Sequence, residues 1–132
     1  MSLILIKRIY ESVSAQDGKR ILVDRLWPRG VRKDVASLDL WCKEVAPTPP
    51  LRVWFDHRAD RFHEFKERYK DELRTNSAVS TLLTFIGEHR ATLLYAAHDT
   101  KVNHAVVLAD FLARAREITP MTTKLVSKHT SS

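Results

Sequence analysis

The sequence predicts an α/β fold: a small, mainly parallel sheet of three to four strands covered by helices. Two short apolar runs, Ile21-Leu22-Val23 and Leu93-Leu94-Tyr95, lack polar alternation, as expected of strands buried on both faces. Between them lie segments whose apolar residues recur every three to four positions, the period of amphipathic helices. At 132 residues the chain has the size of one domain, with a core large enough to stand without disulfide or metal.

Leu3 to Tyr10 is short, apolar and isoleucine-rich, and reads as the first strand. Asp17-Gly18 marks a turn, and Arg20 to Leu26 reads as a second strand halted by Pro28 and Gly30. The link between the two permits an antiparallel hairpin without requiring one. Leu38, Trp41, Cys42 and Val45 fall at i, i+3, i+4 and i+7, predicting a helix that Pro47, Pro49 and Pro50 break. Proline suits a first helical turn, so a short helix through Leu51 to Phe55 follows. A longer helix is expected from about Asp60, a candidate cap, to Arg74, burying Phe62, Phe65, Tyr69 and Leu73. Val79, Leu82, Leu83 and Ile86 mark the next helix, closed by Gly87. Thr92 to Ala96 reads as a buried strand, and a last helix carries Val102, Ala105, Val106, Ala109 and Leu112, with Asp99 or Thr100 as its cap. Residues 1–116 form the expected domain. The Ser-, Thr- and Lys-rich residues 117–132 show no periodicity and read as a disordered tail.

The apolar run at the N-terminus is four residues long and precedes the positive charges, the reverse of a signal peptide. No segment approaches the ~20 apolar residues that span a bilayer, so no membrane partner is expected. A single cysteine, Cys42, fits a reducing compartment, and the expected location is cytoplasmic. The formal net charge is +6, of which residues 1–33 hold +5 through eight Lys/Arg against three Asp/Glu. A surplus this local favours an anionic partner, whether phosphate, carboxylate or nucleic acid.

Val23-Asp24-Arg25-Leu26-Trp27-Pro28-Arg29-Gly30 resembles the signature of the YeaO-like branch of the bacterial family called domain of unknown function 488. Leu40-Trp41, Ala46-Pro47, Leu51-Arg52, Trp54-Phe55, His57, Arg68-Tyr69, Glu72-Leu73, Thr92 to Ala97, Asp99 and Asn103-His104-Ala105 continue the resemblance in family order to about residue 116. The resemblance implies no established activity. A uroporphyrin methyltransferase role, sometimes attached to relatives, calls for a glycine-rich loop that this chain lacks. Distant branches of the superfamily are similar in this region but carry Cys-His where this chain has Asn103-His104, so thiol chemistry at that position is absent here. The tail lies outside the usual family pattern.

Three groups of residues bear chemistry. Asp24, Arg25, Trp27 and Arg29 leave a buried strand, where open α/β sheets bind ligands. The two arginines suit carboxylate or phosphate, Trp27 offers a stacking face, and Asp24 is placed to orient an arginine. His98-Asp99 with Asn103 and His104 follow another strand, at a helix N-terminus where free N–H groups favour anions. Arg52, Trp54 and His57 form the third group, with His57 suited by its neutral-range pKa to proton transfer. The candidate catalytic residues are therefore His57 and Asp99, and the candidate ligand contacts are Arg25, Trp27, Arg29, Arg52, Asn103 and His104. Cys42 sits on an apolar face without a basic activator, and His98, Asp99 and His104 lack metal-ligand spacing, so neither a nucleophilic thiol nor a metal is expected. No cofactor or oligomeric state can be read from the sequence.

Two functional classes follow. The first is a domain that binds a small anionic or nucleotide-type ligand, with catalysis left open. The second is a nucleic-acid-binding module built on the interleaved basic and aromatic residues from Arg25 to Lys33, although no recognised nucleic-acid motif is present. The first makes a geometric demand. Strands running parallel would bring Arg25 or Arg29 beside Asp99 and Asn103, whereas antiparallel strands would send them to opposite edges.

Overall fold

The computed structural model describes residues 3–116 of the chain. Four strands, β1 (Ile4–Arg8), β2 (Lys19–Leu22), β3 (Leu40–Trp41) and β4 (Ala91–Tyr95), form one sheet in the order β1-β4-β2-β3, with every pairing parallel. The helices are α1 (Lys33–Ala36), α2 (Pro49–Phe55), α3 (Phe62–Arg74), α4 (Ala78–Ile86) and α5 over residues 104–116.

The expected central strands are the central ones. β4 is buried at all five positions, and Ile21, Leu22 and Val23 are closed to solvent. Alternation assigns their side chains to two layers. Ile21, Val23, Leu93 and Tyr95 face a large core filled by α2, α3, α4 and α5 through Phe55, Phe65, Tyr69, Leu82 and Leu108. Leu22 and Leu94 face the other side, where Ile9, Trp27, Leu38 and Trp41 cover them. No β1–β2 hairpin forms, because β4 lies between those strands and runs parallel to both.

The segment from Leu38 to Val45 is not a helix. It is β3, which pairs Leu40 with Ile21 and Trp41 with Leu22, followed by a 3-10 turn over Lys43–Val45. Leu40 and Cys42 pack toward the large core while Leu38 and Trp41 pack toward the smaller one, so the apparent helical spacing was two sheet faces read as one. Burial raises the pKa of the Cys42 thiol, and the nearby Glu44 raises it further. Two other boundaries shift. β2 stops at Leu22, short of the Leu26 expected. α3 begins at Phe62 after a 3-10 turn, and Asp60 pairs with Arg58 instead of capping it. The 117–132 segment lies outside the described residues.

At the opposite end from the strand exits, the chain turns through Gly18 at φ 65° so that Lys19 N–H can donate to Arg90 O at 2.9 Å. Beside it the buried Asp17 carboxylate accepts from Arg20 Nη1 at 2.6 Å, from Lys7 Nζ at 3.0 Å and from Ser14 N–H at 3.0 Å. Arg20 also donates to the carbonyls of Ala36 and Ser37, fastening α1 to the sheet. Two of the eight basic residues of the first quarter, Lys7 and Arg20, thus close on Asp17. Among the described residues, no helix is long and apolar enough to cross a membrane.

Candidate functional site

The pairing of β2 with β4 continues one residue past the strand, where Val23 N–H donates to Leu94 O at 3.0 Å. The strands then diverge, and the Asp24 side chain takes over: its Oδ2 accepts from Ala96 N–H at 3.0 Å, standing in for a backbone rung. The Asp24 carbonyl accepts from Trp41 Nε1–H at 2.7 Å. His104 Nε2 lies 3.1 Å from Val23 O and 3.2 Å from Asp24 Oδ1. Both neighbours are acceptors, which assigns a proton to Nε2. The contact to Oδ1 lacks hydrogen-bond geometry, so that oxygen stays without a bonded partner. Asp24 therefore bridges the strand ends, where an arginine had been expected as its partner.

Arg25 turns the other way. Its Nη2 donates to Ala46 O at 3.1 Å and to Pro47 O at 3.4 Å, while its Nε is buried without a hydrogen-bond partner. No carboxylate comes within ion-pair distance of it among the described residues.

The loop from β4 to α5 is shaped by two side chains. Asp99 Oδ1 accepts from the N–H groups of Lys101 and Val102, each at 2.8 Å. Those bonds, Val102 first, hold its carboxyl below the usual range. The cap of α5 is Asn103, not Asp99 or Thr100. Its Oδ1 accepts from Val106 N–H at 3.0 Å, its Nδ2 donates to Asp99 O at 2.7 Å, and the residue is buried.

α2 supplies Arg52, which is exposed and makes no ion pair or side-chain hydrogen bond among the described residues, and Phe55. The chain then leaves the helix through two successive left-handed residues, Asp56 at φ 49° and His57 at φ 53°. Non-glycine residues rarely adopt this conformation, and each carries a strain of about 1 kcal/mol or more.

These elements enclose one cavity of about 580 Å³ at the C-terminal ends of β2 and β4. Arg25, Arg52, His57, Asp99, Asn103 and His104 all line it, with Asp24 and His98. Phe55, Phe65, Leu26, Pro47, Ala96 and Ala97 form its apolar wall. The volume falls in the ~300–1,000 Å³ range of small-molecule sites. Two candidates lie elsewhere. Trp27 donates its indole N–H to Val31 O at 2.7 Å and packs edge-on to Trp41 in the smaller core, with ring centres 5.3 Å apart. Arg29 is exposed, and among the described residues only its carbonyl is engaged, by the Tyr10 hydroxyl. The sequence reading missed Phe55 and Phe65 as cavity wall, because an aromatic on a buried helical stripe looks the same whether it meets core or cavity. A second cavity of about 400 Å³ shares Arg25 and Ala46 with the first and extends toward Glu44 and Glu72.

Part of the basic first quarter is engaged within the fold, while Arg29, Arg32 and Lys33 are exposed. Lys7 and Arg20 close on Asp17, Arg8 donates to the carbonyls of Ala96 and Ala97, Lys19 donates to Phe85 O, and Arg32 pairs with Asp34.

A family model described as "Inactive DUF488-N3 subclade" matches residues 3–128. The match thus runs past residue 117, into the segment expected to lie outside the family pattern. The chain is 44% identical to the uncharacterized protein YeaO of Escherichia coli over 107 residues, 80% of this chain and 93% of that protein. It is 42% identical to the uncharacterized protein Rv3073c of Mycobacterium tuberculosis, also over 107 residues, covering 81% of this chain and 91% of that one. No solved structure matches the chain.

Proposed function

The chain belongs to the DUF488 family, in its YeaO-like branch, and from that premise we propose that it binds a small anionic molecule in the cavity at the ends of β2 and β4. One observation carries the proposal: Arg25 and Arg52, two arginines without carboxylate partners among the described residues, line a single cavity that also holds an apolar wall around Phe55 and Phe65 and the carboxylates of Asp24 and Asp99. The half-buried Arg25, with its Nε unbonded, is costly to leave without an anion, and the exposed Arg52 adds a second guanidinium to the same cavity. The apolar wall fits a ligand with a hydrophobic or aromatic body, of carboxylate or nucleotide type. Asn103 and Asp99 shape the rim, and His104 and His57 add polar contacts. The inactive designation of the matching subclade, together with a cavity wall free of cysteine, serine and lysine, favours binding over turnover, and the proposal assigns no reaction.

Isothermal titration at low ionic strength, with a panel of aromatic carboxylates and mononucleotides, tests the reading. Arg52→Gln is the informative variant, since Arg52 is exposed and its loss leaves the fold intact. A charge-assisted hydrogen bond contributes roughly 1.5–3 kcal/mol, so the variant is expected to bind about tenfold or more weakly. A panel without any member binding below about 1 mM, or a variant with unchanged affinity, would remove the basis for an anion site.

A further inference from the structure

We infer that the ligand carries a hydrogen-bond donor, a hydroxyl or an ammonium, beside its acidic group, and that Asp24 receives the donor while Arg25 receives the acid. The inference rests on the anion site proposed above and names the chemistry of its occupant.

Asp24 and Arg25 are consecutive residues that line one cavity, yet their side chains are anchored to different elements. Asp24 is anchored toward β4 and α5 by Ala96 N–H and His104, and Arg25 is anchored toward the Ala46 and Pro47 carbonyls. One side chain therefore offers an acceptor and its neighbour a donor. Asp24 Oδ1 and Arg25 Nε are, among the described residues, the buried side-chain polar atoms left without a hydrogen-bond partner. Buried polar atoms are nearly always paired, so two exceptions at neighbouring residues of one cavity point to a partner from outside the chain. The acceptor needs a donor and the donor needs an acceptor, and one molecule bearing both meets both needs.

A plain anion meets only half of this. It would pair with Arg25 while offering no donor to Asp24 Oδ1, so the wall favours a ligand that carries one. Both atoms are closed to solvent, although their residues line the cavity. Contact therefore requires a small side-chain rotation, which the half-buried Asp24 and Arg25 can make. Between the two poles, Phe55, Phe65 and Pro47 leave room for an apolar body.

The test compares 3-phenylpropanoate with its 2-hydroxy and 2-amino derivatives by isothermal titration against the wild-type chain. One added charge-assisted hydrogen bond makes at least one derivative about tenfold tighter than the parent acid. Asp24→Asn then separates a ligand contact from a structural role. Its amide oxygen must keep accepting from Ala96 N–H, which puts the NH2 group where Oδ1 was and offers donors instead of an acceptor. The preference is expected to vanish or invert, with the parent acid bound as well as before or better. Equal affinity for all three compounds in the wild type overturns the inference and leaves the anion site standing, as does a preference that survives Asp24→Asn in a folded variant. Failure of all three to bind overturns both. The wild-type comparison stands without the variant should Asp24→Asn not fold.

Discussion

Replacing Asp17 by leucine is expected to cost about 3–5 kcal/mol, the usual loss when one partner of a buried ion pair is removed. Asp17 and Arg20 are almost entirely closed to solvent, with side-chain exposures of 7% and 5%, and their atoms meet at 2.6 Å. Removing the carboxylate leaves the Arg20 charge buried with only the carbonyls of Ala36 and Ser37 as company. It also takes the acceptor from Lys7 and from the Ser14 N–H. Domains of this size hold only about 5–15 kcal/mol in total, so the loss is a large fraction. At roughly 3–5 °C per kcal/mol for this chain length, the melting temperature falls by about 10–20 °C. Thermal melts followed by circular dichroism, with urea titrations for the free energy, supply the measurement. The double variant Asp17→Leu with Arg20→Met discriminates the cause. If the stranded charge is the penalty, the double variant recovers much of the loss, because an apolar pair can replace a buried ion pair at little cost. A single-variant loss under about 1 kcal/mol, or a double variant as unstable as the summed singles, refutes the reasoning. The pH dependence has a definite sign. Desolvation raises the Asp17 pKa, but the bonds from Lys7, the Ser14 N–H and Arg20 outweigh it, and the net value is lowered. Its stabilisation is therefore complete above the ordinary carboxylate value of about 3.9 and is lost as pH falls through the lower folded value. Asp17→Asn should flatten the acid side of the stability profile in that window.

Gly18→Ala places a methyl carbon 2.2 Å from Arg90 O on a backbone at φ 65°, and should cost about 3 kcal/mol or more by chemical denaturation; a loss below ~1 kcal/mol would mean that the turn yields easily. Asn103→Ala removes the α5 cap and should cost about 1–2 kcal/mol, whereas Asn103→Asp, which keeps the acceptor for Val106 N–H, should fall between wild type and alanine. Cys42→Ala should cost about 1 kcal/mol and leave ligand affinity unchanged. The native thiol, buried and raised in pKa, should resist iodoacetamide until the chain is unfolded, and rapid native alkylation would contradict this.

The strands that hold the sheet together were legible because burial on both faces leaves an uninterrupted apolar run, as at Ile21–Val23 and Leu93–Tyr95. β3 was not, because two paired residues are too few to show alternation. Its flanks, Leu38 and Val45, complete a spacing that a helix shares. Four apolar positions cannot say whether they face one partner or two. At the site, the polar residues just past each strand could be named from sequence, since a parallel sheet opens both exits at one edge. Which arginine enters the cavity could not. Arg25 and Arg29 are four residues apart and chemically identical. The chain bends at Arg25 and Leu26 before reaching Arg29, and the direction of that bend is a three-dimensional fact.

Asp24 shows why the fold and the site cannot be assigned to separate sets of residues. One carboxylate oxygen closes the β2–β4 junction through Ala96 N–H, and the other lies 3.2 Å from His104 Nε2 without a hydrogen bond among the described residues. A parallel pair diverging at its C-terminal ends needs something to satisfy the first unpaired N–H, and a short acidic side chain does so while leaving its second oxygen unbonded. The same divergence opens the space that becomes the cavity. The residue that completes the sheet is therefore placed, by the geometry of completion, at the mouth of the site. It follows that stability and affinity must be read separately for every substitution at Asp24. Asp24→Ala removes both oxygens and should lower both quantities. Asp24→Asn, which can keep the bond to Ala96 N–H, should lower stability little and change affinity by ligand class.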